Sequence, residues 1–97
     1  MKKAGYVYLL CNKNRSVLYL GVTSNLPKRI DQHKTKYYPN SFTAKYNCDQ
    51  LVYYRIFETI TEAIQEEKRL KGGSRKQKID LINEANPEWV DLWNEIQ

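Results

Sequence analysis

The sequence predicts an α/β (α+β) chain: a small sheet of three mainly antiparallel strands flanked by helices. The expected order is strand, strand, helix, strand, helix, helix, with a short C-terminal helix after them. Three observations predict it. Two short tyrosine-bearing segments, around Tyr6 and Tyr19, are bulky and lack a helical period. A third run, Leu51 to Phe57, is nearly continuous in bulky residues. The rest of the chain is punctuated by capping residues, prolines and a glycine pair at helix-like spacing.

Residues 5–11, Gly-Tyr-Val-Tyr-Leu-Leu-Cys, read as the first strand. Asn12 to Ser16 is polar and turn-like, and Val17 to Val22 reads as the second strand, so a β-hairpin is the simplest assembly. Period two places Tyr6, Tyr8 and Leu10 on one face, and Val17, Tyr19 and Gly21 on one face of the partner. Ser24-Asn25-Leu26-Pro27 announces a helix, with a capping side chain and then a proline in the first turn, where its missing N–H does no harm. That helix is expected to run to about Lys36, with Leu26, Ile30 and His33 on its apolar stripe.

Residues 37–50 are polar and tyrosine-bearing, and read as a long loop. After the third strand, Thr59 and Glu62 fit a capping box that opens the next helix, and Gly72-Gly73 closes it. Ser74 and Gln77 repeat the capping pattern for a helix to about Ala85. Asn86-Pro87 is read as opening a last short helix through Ile96, with Trp89 and Trp93 on one side, both packed inward.

With 97 residues the chain suits one compact domain, taken as 1–97, with no repeat and no second-domain boundary. The net charge of +5 and a pI of about 9.2 favour encounter with phosphate backbones, or serve solubility alone. Cys11 and Cys48 have neither metal-ligand spacing nor a disulfide framework, and read as free, buried thiols in a reducing cytoplasm. The Met1-Lys2-Lys3 start leads into a strand rather than the apolar core of a secretion leader, and no apolar run is long enough to cross a membrane.

Four groups carry candidate chemistry. Glu67 lies four residues after Ala63 and three before Leu70, near the centre of a helix face that should be buried. Glu62 and Glu66 are expected to point more towards solvent. A carboxylate on a core-facing stripe needs an ion pair, hydrogen bonds or a metal. Arg29 and His33 are four apart on one helix face: a guanidinium that matches phosphate oxygens, and the chain's single histidine. A solvated basic face with Lys28, Lys34 and Lys36 fits the same pattern. Tyr8 and Tyr19 sit on adjacent strands, where their hydroxyls converge if the register pairs their faces; two core tyrosines are the plainer alternative. Gly21 marks a close approach of another group to the strand. In the 37–50 loop and just before it, Lys34, Lys36 and Lys45 interleave with Tyr37, Tyr38, Phe42 and Tyr46, as in a surface that grips a sugar-phosphate backbone and stacks bases, or as in an ordinary loop.

Together these residues resemble the GIY-YIG nuclease superfamily (URI domain), in particular its small single-domain bacterial branch. The resemblance covers roughly Gly5 to Ile82. Tyr6-Val7-Tyr8 stands where the family has Gly-Ile-Tyr, and Tyr19-Leu20-Gly21 where it has Tyr-Ile-Gly. Arg29, His33 and Glu67 match the family's arginine, its His-or-Tyr position and its metal-binding glutamate. Lys71 to Lys76, with Arg75, looks like the basic segment of the small bacterial members. The sequence departs from the pattern at Tyr6 and Leu20, at Val22, where some repair members carry lysine, and at Gly73. The family's late asparagine has Asn83 as its candidate.

The resemblance implies a metal-dependent endonuclease acting on nucleic acid, with DNA in repair or recombination as the expected substrate. Glu67 would ligate one divalent ion, Mg²⁺ or Mn²⁺. Tyr8 and Tyr19 would position and help deprotonate the attacking water. Arg29 would stabilise charge at phosphorus, and His33 would assist proton transfer or contact the scissile phosphate. Lys28, Lys34, Lys36, Lys45, Lys71 and Arg75 are the expected nucleic-acid contacts. The rival reading is a nucleic-acid-binding module with little or no turnover, acting with a protein partner that supplies target specificity. The sequence leaves open DNA against RNA, and the oligomeric state.

Overall fold

The structure is a computed structural model, and it describes residues 3–97. Met1 and Lys2, on which the expectation about a secretion leader partly rests, lie outside the described residues. The elements in chain order are β1 (Gly5–Cys11), β2 (Leu18–Thr23), α1 (Leu26–Lys34), α2 (Phe42–Lys45), β3 (Gln50–Phe57), α3 (Ile60–Lys71), α4 (Arg75–Ala85) and α5 (Trp93–Ile96). The strands form one antiparallel sheet in the order β2-β1-β3. The hairpin and the order of elements along the chain agree with the expectation from the sequence.

β1 is the central strand and five of its residues, Val7 to Cys11, are buried on both faces of the sheet. On one face Tyr8 and Leu10 pack with Leu26 and Ile30 of α1, and Tyr6, Val17, Tyr19, Trp93 and Ile96 close over them. On the other face Val7 packs with Ala63 and Leu70 of α3, while Leu9, Cys11 and Val52 pack with Ile82 of α4. Both cysteines are buried and free. Among the described residues, no helix is long and apolar enough to cross a membrane.

The helix starts follow their capping residues. Asn25 accepts from the Lys28 amide, Thr59 from the Glu62 amide and Ser74 from the Gln77 amide. α1 ends at Lys34, two residues before the expected Lys36. Lys36 takes the left-handed conformation (φ 53°), and the Tyr37 amide returns to the Gln32 carbonyl at 2.9 Å. This is a Schellman closure with lysine in glycine's usual place.

Two expectations fail. The 37–50 segment is not all loop, because Ser41 caps the one-turn helix α2 by accepting from the Ala44 amide. The C-terminal helix is only α5, because Trp89 adopts φ 54° and residues 86–92 are turn and irregular backbone. Asn86 does not cap a helix. Its buried side-chain amide donates to the carbonyls of Val52 (3.0 Å) and Val90 (2.9 Å), and its oxygen accepts from the Val90 amide. Trp89 and Trp93 do both pack inward, but on opposite faces of the sheet.

Candidate active site

The hairpin register places the two tyrosines. Tyr8 pairs with Gly21 and Leu10 with Tyr19, so Tyr8 and Tyr19 are diagonal neighbours on one face. Their ring centroids are 6.4 Å apart. Gly21 explains how this is possible: a Cβ there would collide with the end of the Tyr8 ring. The group that approaches the strand at Gly21 is therefore the phenol of Tyr8.

α1 lays Arg29 and His33 over these rings. The Tyr8 hydroxyl lies 2.8 Å from Nε2 of His33, and Nδ1 of His33 lies 2.8 Å from the Thr43 hydroxyl. The His33 ring stands 5.5 Å from that of Tyr19. His33 is 7% exposed. Burial, helped by the Arg29 charge, pushes its pKa down to about 4. Burial pushes the Tyr8 phenol up to about 12, against the pull of the adjacent Arg29. Both groups are therefore neutral at pH 7. The Arg29 guanidinium donates to Gln32 (3.2 Å) and lies 5.7 Å from the centroid of the Tyr38 ring.

Thr43 escaped the sequence reading, since no motif or spacing marks a hydroxyl in a segment taken as loop. α2 positions it. Tyr19, Arg29, His33, Tyr38, Phe42 and Thr43 line a small cleft of about 90 Å³ between α1 and the α2 segment.

Glu67, on α3, does not line that cleft; the groove it lines shares Tyr19 and Phe42 with the cleft. That groove, of about 490 Å³, is lined also by Leu18, Leu20, Lys71 and Lys78. Among the described residues Glu67 has no hydrogen-bonded or ion-paired protein partner. The ion pair considered for it belongs to its neighbour. Glu66 takes two hydrogen bonds from Arg69 (2.7 and 2.8 Å) and lies 3.8 Å from Arg55. Its side chain is only 14% exposed, so the expectation of a solvent-facing Glu66 is corrected. Arg69 holds the Glu66 carboxyl below its ordinary pKa. Ile64 is 38% exposed, which leaves Ala63 and Leu70 as the buried line of α3, with Ile60 beside them.

Among the described residues no three His, Cys, Asp or Glu side chains form a metal-binding group. A divalent ion at Glu67 would hold one carboxylate, with water and phosphate oxygens completing its shell. That donor set suits Mg²⁺, which keeps several waters and is bound through one or two carboxylates plus substrate phosphates.

The expected nucleic-acid contacts divide. Lys71 lines the Glu67 groove, joined by Lys78, which the sequence reading missed. Lys28 lines a hollow beside Arg29 at the start of α1. Lys45 lies 5.6 Å from the Tyr46 ring centroid. Lys34 is instead tied down, 2.5 Å from Asp91 and 2.8 Å from the Asp49 carbonyl. Lys36 donates to Asn47 (2.6 Å) and Arg75 to the Ser16 carbonyl (3.1 Å). Asn83 accepts from the Trp89 indole at 2.6 Å.

The chain is thus a small α/β domain in which two hairpin tyrosines meet an arginine and a histidine from the next helix. The chain belongs to the GIY-YIG family: residues 4–80 match the GIY-YIG catalytic domain. This is a nuclease superfamily, so nucleic acid is its substrate class. A UPF0213 protein of Clostridium perfringens is 42% identical over 82 residues, covering 80% of this chain and 82% of that one. One of Staphylococcus saprophyticus is 37% identical over 84 residues, covering 82% and 95%. The solution NMR structure of a UPF0213 protein from Bacillus halodurans superposes with a TM-score of 0.57 at 27% identity, covering 91% of this chain and 92% of that one.

Proposed function

We propose that the chain is a divalent-metal-dependent endonuclease that hydrolyses phosphodiester bonds in DNA, in a repair or recombination setting. The observation that carries this reading is the cleft into which Tyr19, Arg29 and His33 face together, with Tyr8 bonded to His33 behind it.

Glu67 would hold the divalent ion, which would supply Lewis-acid stabilisation of charge on the phosphate oxygens. Arg29 draws the phosphodiester anion in and stabilises the charge that builds up during in-line displacement. With the Nδ1 proton of His33 donated to Thr43, Nε2 is left to accept the Tyr8 hydroxyl proton. Tyr8 is 1% exposed behind the cleft, so its phenol enters the relay once substrate binding opens a path to it, taking a proton from the attacking water while passing its own to Nε2. In the resting site this transfer is uphill, because Tyr8 holds its proton up to about pH 12 and His33 accepts one only near pH 4. The relay as a whole leaves Tyr8 neutral and charges only His33, so the incoming phosphate favours it: its negative charge raises the pKa of His33 and offsets Arg29. Tyr19 borders both the cleft and the Glu67 groove, and positions the water between them.

The test is cleavage of labelled duplex, single-stranded, flap and four-way-junction DNA, with Mg²⁺ or Mn²⁺ and with EDTA, by the wild type and Glu67→Ala. Metal-dependent cleavage that is lost in Glu67→Ala supports the nuclease. Salt-sensitive binding by both proteins with no cleavage by either would overturn it in favour of the binding module.

A further inference from the structure

The α2 segment carries aromatic rings that the core does not use. Phe42 is 47% exposed and Tyr46 43%, while their neighbours Thr43 and Ala44 are buried. α2 is thus mounted by a small inward face and turns its large rings outward. The mount is firm: Ser41 caps it, Thr43 bonds to His33, and the Cys48 amide returns to the Thr43 carbonyl at 2.9 Å. Large apolar rings left in water on an ordered element mark a binding surface.

The rings run outward from the candidate active site. Tyr19 stacks on Phe42 (centroids 6.0 Å, planes 28° apart), and Phe42 meets Tyr46 at 4.7 Å. Lys45 stands beside Tyr46, so a cation flanks the outer end. On the far side of the cleft the Arg29 guanidinium lies by Tyr38, itself 51% exposed.

We infer that the Tyr19–Phe42–Tyr46 surface is a stacking platform for unpaired bases, so that DNA enters this site through a single-stranded stretch. The inference rests on the reading above that DNA is the substrate, and specifies which form of it. In a duplex the base faces are already stacked and only phosphates and groove edges are offered. An unpaired strand offers π-faces, which aromatic side chains bind whatever the base, and phosphates, which Lys45 can reach.

Binding is measured in EDTA, where no cleavage occurs, by fluorescence anisotropy with a labelled short oligothymidylate and a labelled blunt two-strand duplex. The wild type should bind the oligothymidylate the more tightly. Phe42→Ala with Tyr46→Ala should weaken oligothymidylate binding by about tenfold or more while changing duplex binding less than about twofold. Tyr46→Ala alone, which leaves the contact with Tyr19 intact, should show part of the same selective loss. Equal losses on both probes, or none, overturn the platform. Because the readout needs no turnover, a selective loss with no metal-dependent cleavage would sink the nuclease reading and leave the platform standing. Cleavage without a selective loss would do the reverse.

Discussion

Tyr8 and His33, on different elements and 25 positions apart, share a 2.8 Å hydrogen bond inside a nearly closed site. One consequence is a pH dependence of stability. His33 has an ordinary pKa of 6.5, lowered to about 4 in the fold. Above pH 6.5 it is neutral in both states and its contribution is fully present. As the pH falls from 6.5 towards 4, only the unfolded chain takes up the proton, so stability drops by at most about 1.4 kcal/mol per pH unit. Urea unfolding at a series of pH values should show this slope in the wild type. His33→Gln should show a shallower one, because only the general carboxylate effect remains. Parallel slopes would contradict the buried neutral imidazole.

Glu66 and Glu67 are adjacent and should behave in opposite ways. Glu67 has no protein partner among the described residues, so Glu67→Gln should change stability by less than about 0.5 kcal/mol while abolishing metal-dependent cleavage. Glu66→Gln breaks the pairing with Arg69 and Arg55, and should lower stability by about 0.5–1 kcal/mol with cleavage retained. Thermal unfolding and the cleavage assay on both variants decide this.

Gly21→Ala should be destabilising by about 1–3 kcal/mol, because the added Cβ meets the Tyr8 ring and the core must shift. The same change combined with Tyr8→Leu should cost less than the sum of the two singles. A double-mutant cycle in urea measures that coupling, and strict additivity would mean that the two residues do not contend for one space.

Asn86→Ala should destabilise by about 2–3 kcal/mol, since it strips the Val52 and Val90 carbonyls of a buried donor. Asn83→Ala, which loses only an exposed contact to Trp89, should be far milder by the same urea measurement.

What was legible in the sequence follows from length and period. β1 and β2 alternate strictly enough to put Tyr8 and Tyr19 on one face, and the 3.6-residue stripe of Leu26, Ile30 and His33 is the buried side of α1. The caps Asn25, Thr59 and Ser74 were readable because their chemistry is local. α2 was not, because four residues are too few to display a period, and with it Thr43 was lost as the partner of His33. On α3 both glutamates flank the narrow Ala63–Leu70 line. Which of them is paired depends on Arg55 of β3, a neighbour that no helical spacing can show. The salt bridge of Lys34 is likewise invisible to local spacing, because its partner Asp91 lies 57 positions away.

The turns between α4 and α5 have a consequence beyond holding α5 in place. At the start of β3 the Leu51 amide donates to the Asp91 carboxylate, the Leu51 carbonyl accepts from the Leu92 amide, and the Val52 carbonyl accepts from Asn86. These are outward-facing groups of an edge strand, which would otherwise be a template for another chain to add a strand. The C-terminal segment thus insulates the start of β3 against edge-to-edge aggregation. β2, the opposite edge, has no such cover from it, and there the Glu67 groove stays open to a ligand. The two margins of the sheet therefore differ in how readily another molecule can approach their backbone.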